Sequence, residues 1–385
     1  MLICSRACFL GSVTARRVGN KVIGHLRQRF PRGSQIFLWH RRARRDISSL
    51  VGTVVDTQEV RVILPIDTTP SNGEALPDMG ESFAAILKAT GPLDPIVTAV
   101  VHPCDDASLG GALEARDQGL ITPLLVGPEA RIRNVAEEND LDLTGLEIVT
   151  SLHSHDSAQK AVRLVHEGRA QALMKGALHT DEIMSEVVHK ERGLRTERRM
   201  SHIFVLDVPT YSKLLLISDA AINIFPDLQT KADIIQNAIE LGHALGVDLP
   251  KVAILSAVET IYPKIPSTVE AGALCKMADR GQITGGLLDG PLAFDNAVSK
   301  EAAEAKGIVS EVAGDPDILI APDLEAGNMI AKQLMYLASA DSAGLVMGAR
   351  VPVMLTSRAD GTLSRVISAA LAQLVVHHRQ GKSIL

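Results

Sequence analysis

Short apolar runs alternate with segments of helical periodicity from residue 95 to the C-terminal region. The clearest unit is the last one, where the apolar, β-branched run 351–356 ends in the polar segment Ser-Arg-Ala-Asp-Gly at 357–361. Apolar side chains then recur at helical spacing from Leu363 to Leu374. Strands that alternate with helices at this spacing form βαβ units with a parallel sheet. We therefore predict an α/β fold.

The same pattern predicts the other elements of the chain. Thr180 is expected to cap the helix that follows it. Strands are predicted at residues 96–101, 122–126, 146–150, 172–174, 252–256, 317–320 and 345–347, and helices at 82–89, 109–120, from 128, 157–167, 181–188, 228–245, 269–278, 299–307 and 324–337.

Near residue 200 the alternation is interrupted. Residues 202–207 and 213–218 are both apolar runs, and only five residues separate them. Five residues are too few for a helical crossover, so the two runs are predicted to form an antiparallel hairpin. The interruption indicates a change of domain near residue 200.

Composition limits the classes of protein to which the chain belongs. Its 385 residues suffice for two domains, and an aromatic content of 3% means that the cores consist of Val, Ile, Leu, Ala and Met. The net charge of −6 argues against nucleic acid as a partner. No apolar run approaches the ~18–20 residues that a membrane span requires. The four cysteines show no disulfide or metal-ligand spacing, so a reducing, cytoplasmic location is expected.

The N-terminal part differs from the rest. Residues 1–45 contain ten arginines and no Asp or Glu. Such a segment fits an organelle transit peptide, a basic arm or the remnant of an upstream domain, and the sequence does not decide between these. We treat residues 1–75 as a basic, poorly patterned extension.

Polar groups gather after the apolar runs. In a parallel sheet the carboxyl ends of the strands meet in one crevice, where ligands bind. A hydroxyl, a guanidinium and a carboxylate at such an end suit a phosphate group, so these clusters are expected to converge on one site. The clusters are at residues 175–179, 218–227, 259–264, 289–295, 323–328 and 357–358.

Several of these motifs together resemble the phosphate acetyltransferase/phosphate butyryltransferase family. They are Leu-Met-Lys-Gly at 173–176, Ser-Ala-Val-Glu-Thr at 256–260, Asp-Gly-Pro-Leu-Ala-Phe-Asp-Asn at 289–296, Pro-Asp-Leu-Glu-Ala-Gly-Asn at 322–328 and Leu-Thr-Ser-Arg-Ala-Asp at 355–360. The chain is most similar to the phosphotransacylase half of bifunctional enoyl-CoA hydratase/phosphate acetyltransferases. The N-terminal extension is too short for the hydratase half, so only transferase activity is expected.

The resemblance implies a two-domain α/β/α fold related to the isocitrate/isopropylmalate dehydrogenase architecture, with the active cleft between the domains. Domain 1 would comprise residues 76–200 and 350–385, and domain 2 residues 201–349. Domain 2 would pair two copies into a homodimer. No membrane or nucleic-acid partner is expected.

The implied reaction is acyl-CoA plus phosphate giving acyl phosphate plus CoA, reversibly, through a ternary complex. It requires no metal and no bound cofactor, because CoA is itself a substrate. Arg358 matches the arginine of the family's phosphate site, and Ser357 matches the adjacent serine, a hydrogen-bond donor to the phosphate or to the developing oxyanion.

One position departs from the acetyl-specific pattern. The aspartate proposed there as base toward the CoA thiol is Ser364 in this chain, and the local Ser-Arg-Ala-Asp pattern is that of butyryltransferases. Either Asp360 takes the role, or positive charge alone stabilises the thiolate. The preference between acetyl- and butyryl-CoA stays open for the same reason.

Other residues are candidates for binding the substrates. Lys175, Arg195 and Arg199 would face the phosphate or the CoA diphosphate, each with the competing interpretation of a solvated surface cation. Asp289 and Asn328 belong to the shared motifs, and Asn328 either binds ligand or organises its turn. His179 and His202 are expected to be structural.

Two other functions compete with transacylation. A metal- and NAD-dependent β-decarboxylating dehydrogenase has the same architecture, and Asp289, Asp295 and Asp323 would be its metal ligands. A non-catalytic CoA- or phosphate-binding protein would use the basic arm for interaction and would bind without turnover.

Overall fold

The computed structural model describes residues 13–18, 21–26, 79–356 and 361–381. The chain divides into two units, Met1–Pro70 and Ser71–Leu385. In the first unit, β1 (Val13–Val18) pairs antiparallel with β2 (Lys21–Leu26). The rest of the basic extension, with Cys4 and Cys8, lies outside the described residues.

The second unit alternates strands and helices. Its first half consists of α1 (Glu81–Thr90), β3 (Ile96–Val101), α2 (Asp106–Asp117), β4 (Ile121–Gly127), α3 (Glu129–Glu138), β5 (Glu147–Thr150), α4 (Ser154–His166), β6 (Ala172–Lys175) and α5 (Thr180–Val187). The second half consists of β7 (Ser201–Asp207), β8 (Leu215–Ser218), α6 (Leu228–Ala244), β9 (Lys251–Leu255), α7 (Pro266–Asp279), β10 (Leu287–Leu292), α8 (Phe294–Val298), α9 (Lys300–Ala305), β11 (Ile318–Ile320), α10 (Leu324–Leu337), β12 (Asp341–Met347), β13 (Val353–Met354) and α11 (Thr362–Arg379).

Local chemistry sets the starts of several helices. The Asp105 carboxylate accepts a hydrogen bond from the Ser108 N–H at 2.8 Å, and Asp227 and Asp323 cap α6 and α10 in the same way. Pro266 occupies the first turn of α7, where its missing N–H costs no hydrogen bond. The cap of α5 is His179 and not Thr180, because the His179 N–H already donates to the Glu182 carboxylate at 2.7 Å.

The described strands of the second unit form one eleven-stranded sheet in the order β10-β9-β11-β8-β7-β12-β13-β6-β3-β4-β5. The predicted hairpin near residue 200 is confirmed, since β7 and β8 pair antiparallel. β12 runs antiparallel to both β7 and β13, whereas the outer pairs on both sides are parallel. Strands β3 to β7 and β13 therefore point one way, and β8 to β12 point the other way.

This reversal corrects the expectation that all the strand-end clusters meet. The carboxyl ends of β6 and β13 lie at one end of the sheet, and those of β8, β9 and β11 lie at the opposite end. A second correction concerns Asp289. It lies within β10, which the sequence did not predict because Gly290 and Pro291 interrupt the apolar pattern.

The apolar side chains of the described residues form three cores. The first covers one face of the whole sheet and includes Leu113 of α2, Ile239 of α6 and Leu371 of α11. The other face carries two separate cores, one with α4 and α5 and one with α8 and α10. Val346 of β12 belongs to the former and Leu206 of β7 to the latter. On that face the protein therefore has two lobes that meet over β7 and β12.

No helix among the described residues is both long and apolar enough to cross a membrane.

Gly176 provides a test of the packing at the end of β6. A Cβ at this position would lie 2.5 Å from the carbonyl oxygen of Val101 and 2.6 Å from that of His102, so Ala would displace backbone. We expect Gly176→Ala to lower the free energy of unfolding by at least about 2 kcal/mol in chemical denaturation. Gly91→Ala is the control, because its nearest contact is 3.4 Å away, and it should change stability little. Equal stability of the two variants would contradict the observed packing.

Candidate functional site

The candidate site lies where β13 ends. Thr356 is the last described residue after β13, and the chain resumes at Gly361, directly before α11. The predicted catalytic residues Ser357, Arg358 and Asp360 are outside the described residues. The described residues on both sides of the segment 357–360 therefore define its surroundings.

Two buried cations hold Thr356. The Lys175 ammonium, at the end of β6, donates to the carbonyl oxygens of Thr356 at 3.3 Å and Gly176 at 3.4 Å. The Arg365 guanidinium, on the first turn of α11, donates to the Thr356 hydroxyl at 2.6 Å. Both side chains are almost inaccessible, at 6% for Lys175 and 5% for Arg365. The residue directly before the segment 357–360 is therefore held by two positively charged side chains.

Helix N-termini add to the positive potential at this end of the sheet. α2, α4 and α5 each begin shortly after the carboxyl end of β3, β5 or β6, which all point the same way. The N-terminus of a helix carries a partial positive charge and unpaired N–H groups. This end of the sheet therefore combines the two buried cations with the N-termini of these three helices.

His102, which the sequence analysis did not single out, lies beside Lys175. It follows β3 directly, it is 4% accessible, and its φ of 58° is unusual for a residue other than glycine. Its carbonyl accepts from the Ala177 N–H at 2.8 Å, which couples it to the loop after β6. No periodic pattern marks such a residue, so the only signal was its place at a predicted strand end.

A buried network fixes the state of the His102 ring. The Ser157 hydroxyl donates to the carbonyl of His153 at 3.0 Å, so it accepts from its other two partners, Nδ1 of His102 at 2.9 Å and the Ser151 hydroxyl at 2.7 Å. Nδ1 then carries the proton, and Nε2 presents a lone pair. Burial, and to a lesser extent the charge of Arg131, lowers the pKa of His102, which keeps the ring neutral.

His202 lies buried on β7, on the face where the two lobes meet. Its ring lies against Gly344, where a Cβ would be 2.9 Å from Cε1 and Nε2, and it packs edge-on against Phe204. The backbone N–H of His202 donates to the Asp219 carboxylate at 3.2 Å. These contacts describe the surroundings of the ring, and the structural role of His202 stays a prediction.

Asn328 organises backbone at the opposite end of the sheet. Its side-chain amide donates to the carbonyl oxygen of Ala220 at 3.1 Å, in the loop after β8. Asp219 in the same loop accepts from the N–H groups of Ala221, Ile222 and Asn223. Asn328 therefore supports the loop after β8, and its two predicted roles, ligand binding and organising its own turn, stay predictions.

Asp289 makes a local contact within β10. Its carboxylate accepts from the Gly290 N–H at 2.8 Å. Burial, reinforced by the negative charge of Asp289, raises the pKa of the Cys275 thiol to about 12. Cys275 is therefore a neutral thiol at physiological pH.

Arg195 and Arg199 lie away from Lys175. Arg195 forms a β-bridge with Ala349, beyond the carboxyl end of β12. The backbone N–H of Arg199 donates to the Asp233 carboxylate at 3.0 Å. Because β12 is antiparallel to β13, this is the end of the sheet opposite to Thr356. The structure thus brings Lys175 to Thr356 but does not bring these two arginines there.

Within the described part of the chain, no three His, Cys, Asp or Glu side chains are grouped in a way that would hold a metal ion.

The chain was compared with known proteins. The family model for phosphate acetyl/butaryl transferase matches residues 152–373. The chain is 59% identical to a phosphate acetyltransferase of Rhizobium meliloti over 308 residues, which covers 80% of the chain and 98% of that protein. It is 40% identical to a phosphate butyryltransferase of Clostridium acetobutylicum, covering 78% of the chain and 100% of that protein.

Solved structures give the same picture. A branched-chain phosphotransacylase from Enterococcus faecalis superposes with a TM-score of 0.65 at 31% identity, covering 73% of the chain and 99% of that structure. A phosphotransacetylase from Streptococcus pyogenes superposes with a TM-score of 0.66, covering 77% of the chain and 98% of that structure, and at 22% identity it supports the fold alone.

The lowered pKa of His102 predicts how stability depends on pH. Unfolded histidine titrates near pH 6.5, so below that pH the unfolded chain binds a proton that the folded protein resists. Stability should therefore fall as the pH decreases below about 6.5, by up to about 1.4 kcal/mol per pH unit, until the folded pKa is reached.

Variants separate His102 from the other histidines. Asn tolerates positive φ and can still bond Ser157, so His102→Asn should flatten the stability curve between pH 6.5 and 5. The exposed His378 provides the control, and His378→Gln should leave the curve unchanged. Identical curves for wild type and His102→Asn in urea denaturation would contradict the account.

Proposed function

The chain belongs to the phosphate acetyl/butaryl transferase family, and from this premise we propose that it converts acyl-CoA and phosphate reversibly to acyl phosphate and CoA. It is an acyltransferase. The structural observation that carries the proposal is the pair of buried cations, Lys175 and Arg365, on the residue directly before Ser357 and Arg358. Such a place suits a phosphate dianion beside a thioester.

In this reaction a phosphate oxygen attacks the carbonyl carbon of the thioester. The carbonyl oxygen becomes an oxyanion, the carbonyl re-forms as the C–S bond breaks, and the leaving thiolate takes the proton that the attacking phosphate loses. Arg358 would hold two phosphate oxygens, and Ser357 would donate to phosphate or to the oxyanion. Holding both substrates together makes the largest contribution, since it turns a bimolecular attack into a unimolecular one.

The leaving thiolate needs charge stabilisation more than it needs a strong base. A CoA thiol has a pKa of about 8.5 if it resembles cysteine, so a positive site lowers the barrier to its departure. Lys175 and Arg365 supply such charge near Thr356, and Asp360 is the proposed proton acceptor in the reverse direction. Ser364, at the position of the acetyl-specific aspartate, has no basic group, and its carbonyl oxygen accepts from the Ser368 hydroxyl.

Among the proposed substrate-binding residues, Lys175 has the strongest support because of its contact with Thr356. Asp289, Asn328, Arg195 and Arg199 stay predictions, and their backbone places are away from that residue. CoA and phosphate would be bound as substrates, with no resident cofactor and no metal. Neither the dehydrogenase nor the non-catalytic alternative is proposed, because both relatives compared above are named as acyl transferases.

We also propose the two-domain α/β/α architecture of the isocitrate/isopropylmalate dehydrogenase type, with domain 1 at residues 76–200 and 350–385 and domain 2 at residues 201–349. The separate cores of the two lobes on one sheet face support it. The active cleft would lie where the lobes meet, and a cytoplasmic location agrees with this function.

A homodimer through domain 2 is supported by exposed apolar side chains. They follow neighbouring strands at one end of the sheet, where a solvated surface would be polar. The exposed residues are Ile224 and Phe225 after β8, Ile261 and Tyr262 after β9, Phe294 after β10 and Met329 in α10.

The reaction is tested by a thiol-release assay with phosphate and acyl-CoAs from acetyl to butyryl. We expect phosphate-dependent CoA release and matching acyl phosphate, unchanged after treatment with a metal chelator. Loss of activity on chelation would favour metal chemistry, and binding without turnover would favour the non-catalytic alternative.

The role of Arg358 is tested in the same assay. Arg358→Ala should reduce kcat/KM for phosphate at least about 100-fold, since it removes a bidentate anion contact in the transition state. Arg133→Ala is the control, because Arg133 is an exposed arginine paired with Glu129 on α3. Near-wild-type activity of Arg358→Ala would remove this arginine from the mechanism.

Light scattering after gel filtration tests the dimer. Phe225 is 79% exposed in the proposed interface, and Phe225→Glu should produce monomers. Leu152 is 83% exposed in the other lobe, so Leu152→Glu should stay dimeric. A monomeric wild type, or a dimeric Phe225→Glu variant, would contradict the proposed interface.

A further inference from the structure

A basic cavity lies at the end of the sheet opposite to Thr356. Its volume is about 380 Å³, and its walls come from the loop before β7, the turn after β12, α6 and the end of α11. We name it the Arg350 pocket, and its defining residues are Thr196, Arg198, Glu240, Ala349, Arg350 and Arg379.

Hydrogen bonds between backbone segments fix the walls of the Arg350 pocket. The Thr196 hydroxyl donates to the Gly348 carbonyl at 2.6 Å, and the Arg350 N–H donates to the Leu194 carbonyl at 2.9 Å. The Arg379 guanidinium donates to the carbonyls of Ala349 and Arg350 at 3.4 and 3.3 Å. Hydrogen bonds therefore hold the backbone walls in place, while the lining arginines are exposed at the surface.

The charges of the pocket leave a positive excess. Glu240 accepts from Arg379 at 2.7 Å through one oxygen and from Arg198 at 2.8 Å through the other. Burial disfavours the charge on Glu240, yet these arginines hold its pKa below the ordinary value. Arg350 makes no ion pair to a described residue, and Glu197 is the other acid in the lining, so three arginines face two carboxylates.

A guanidinium has five N–H donors in a planar fork. Arg198 directs one N–H donor to Glu240. Among the described residues, its remaining N–H donors and those of Arg350 have no protein acceptor, so they can bind a ligand. Two guanidinium groups around one cavity suit the several oxygens of a phosphate group better than the two oxygens of a single carboxylate. The repelling groups are Glu197, Glu240 and the wall carbonyls, and Glu240 is already neutralised by its two partners.

We propose that the Arg350 pocket binds the phosphate or diphosphate group of a small ligand, at a site separate from the acyl-transfer site. Its volume holds a phosphate ester and not a whole CoA molecule. Its position beyond β12 separates it from Lys175 and Thr356, which lie beyond the other end of the sheet. The phosphate group belongs either to a free metabolite or to the 3′-phosphate of CoA.

Isothermal titration with inorganic pyrophosphate tests the proposal. Wild type should show two classes of site, one lost in Arg358→Ala and the other weakened at least about tenfold in Arg350→Ala. Arg133→Ala is the control and should keep both. CoA and dephospho-CoA are then used as competitors in Arg358→Ala, which keeps only the Arg350-dependent site. Displacement by CoA but not by dephospho-CoA assigns the site to the 3′-phosphate, and no displacement by either assigns it to a free metabolite.

Glu240→Gln separates ligand binding from a purely structural role. Removing this charge should tighten pyrophosphate binding at the Arg350-dependent site severalfold, although it lowers Tm by breaking two ion pairs. A single class of pyrophosphate site that Arg350→Ala leaves unchanged would overturn the proposal. So would a Glu240→Gln variant that loses stability without any change in binding, because the cluster would then only connect the helices. Neither result changes the expected effect of Arg358→Ala on kcat/KM for phosphate, because that assay tests the acyl-transfer site alone.

Discussion

The structure around Thr356 depends on two cations that are withdrawn from water. Lys175 ends a central strand and Arg365 begins the last helix, so their positions are fixed by backbone. Burying a charge costs several kcal/mol unless other groups compensate it, and here both ions also hold the residue that leads into Ser357 and Arg358. The two cations therefore fix the backbone at Thr356, directly before the proposed catalytic residues.

The antiparallel strands β7 and β12 separate the strand-end clusters into two groups, at opposite ends of the sheet. They reverse the direction of the sheet, so that the carboxyl ends of β6 and β13 are separated from those of β8, β9 and β11. One end then carries the two buried cations Lys175 and Arg365, and the other end carries the exposed apolar residues and the Arg350 pocket. The proposed acyl transfer, assembly and second anion site would then use different surfaces.

Periodicity predicted the elements whose patterns are strong, such as Ile96–Val101 and Leu324–Leu337, with the bounds that the structure has. Periodicity located the hairpin near residue 200. It did not predict that strands β8 to β12 run opposite to β3 to β7, because strand direction depends on tertiary pairing. It did not predict β10, because Gly290 and Pro291 interrupt the apolar pattern of that strand. It also missed His102, because the role of this residue comes from the Ser157 network and from close approach to Gly176, which are contacts distant in sequence.

The most direct measurement of the central claim is the steady-state dependence on phosphate in Lys175→Met, compared with Lys231→Met. Both lysines are buried, but Lys231 pairs with Glu270, away from Thr356. The account predicts that Lys175→Met, while folded, loses at least about tenfold in kcat/KM for phosphate, and that Lys231→Met does not. Unaltered phosphate kinetics in folded Lys175→Met would contradict it.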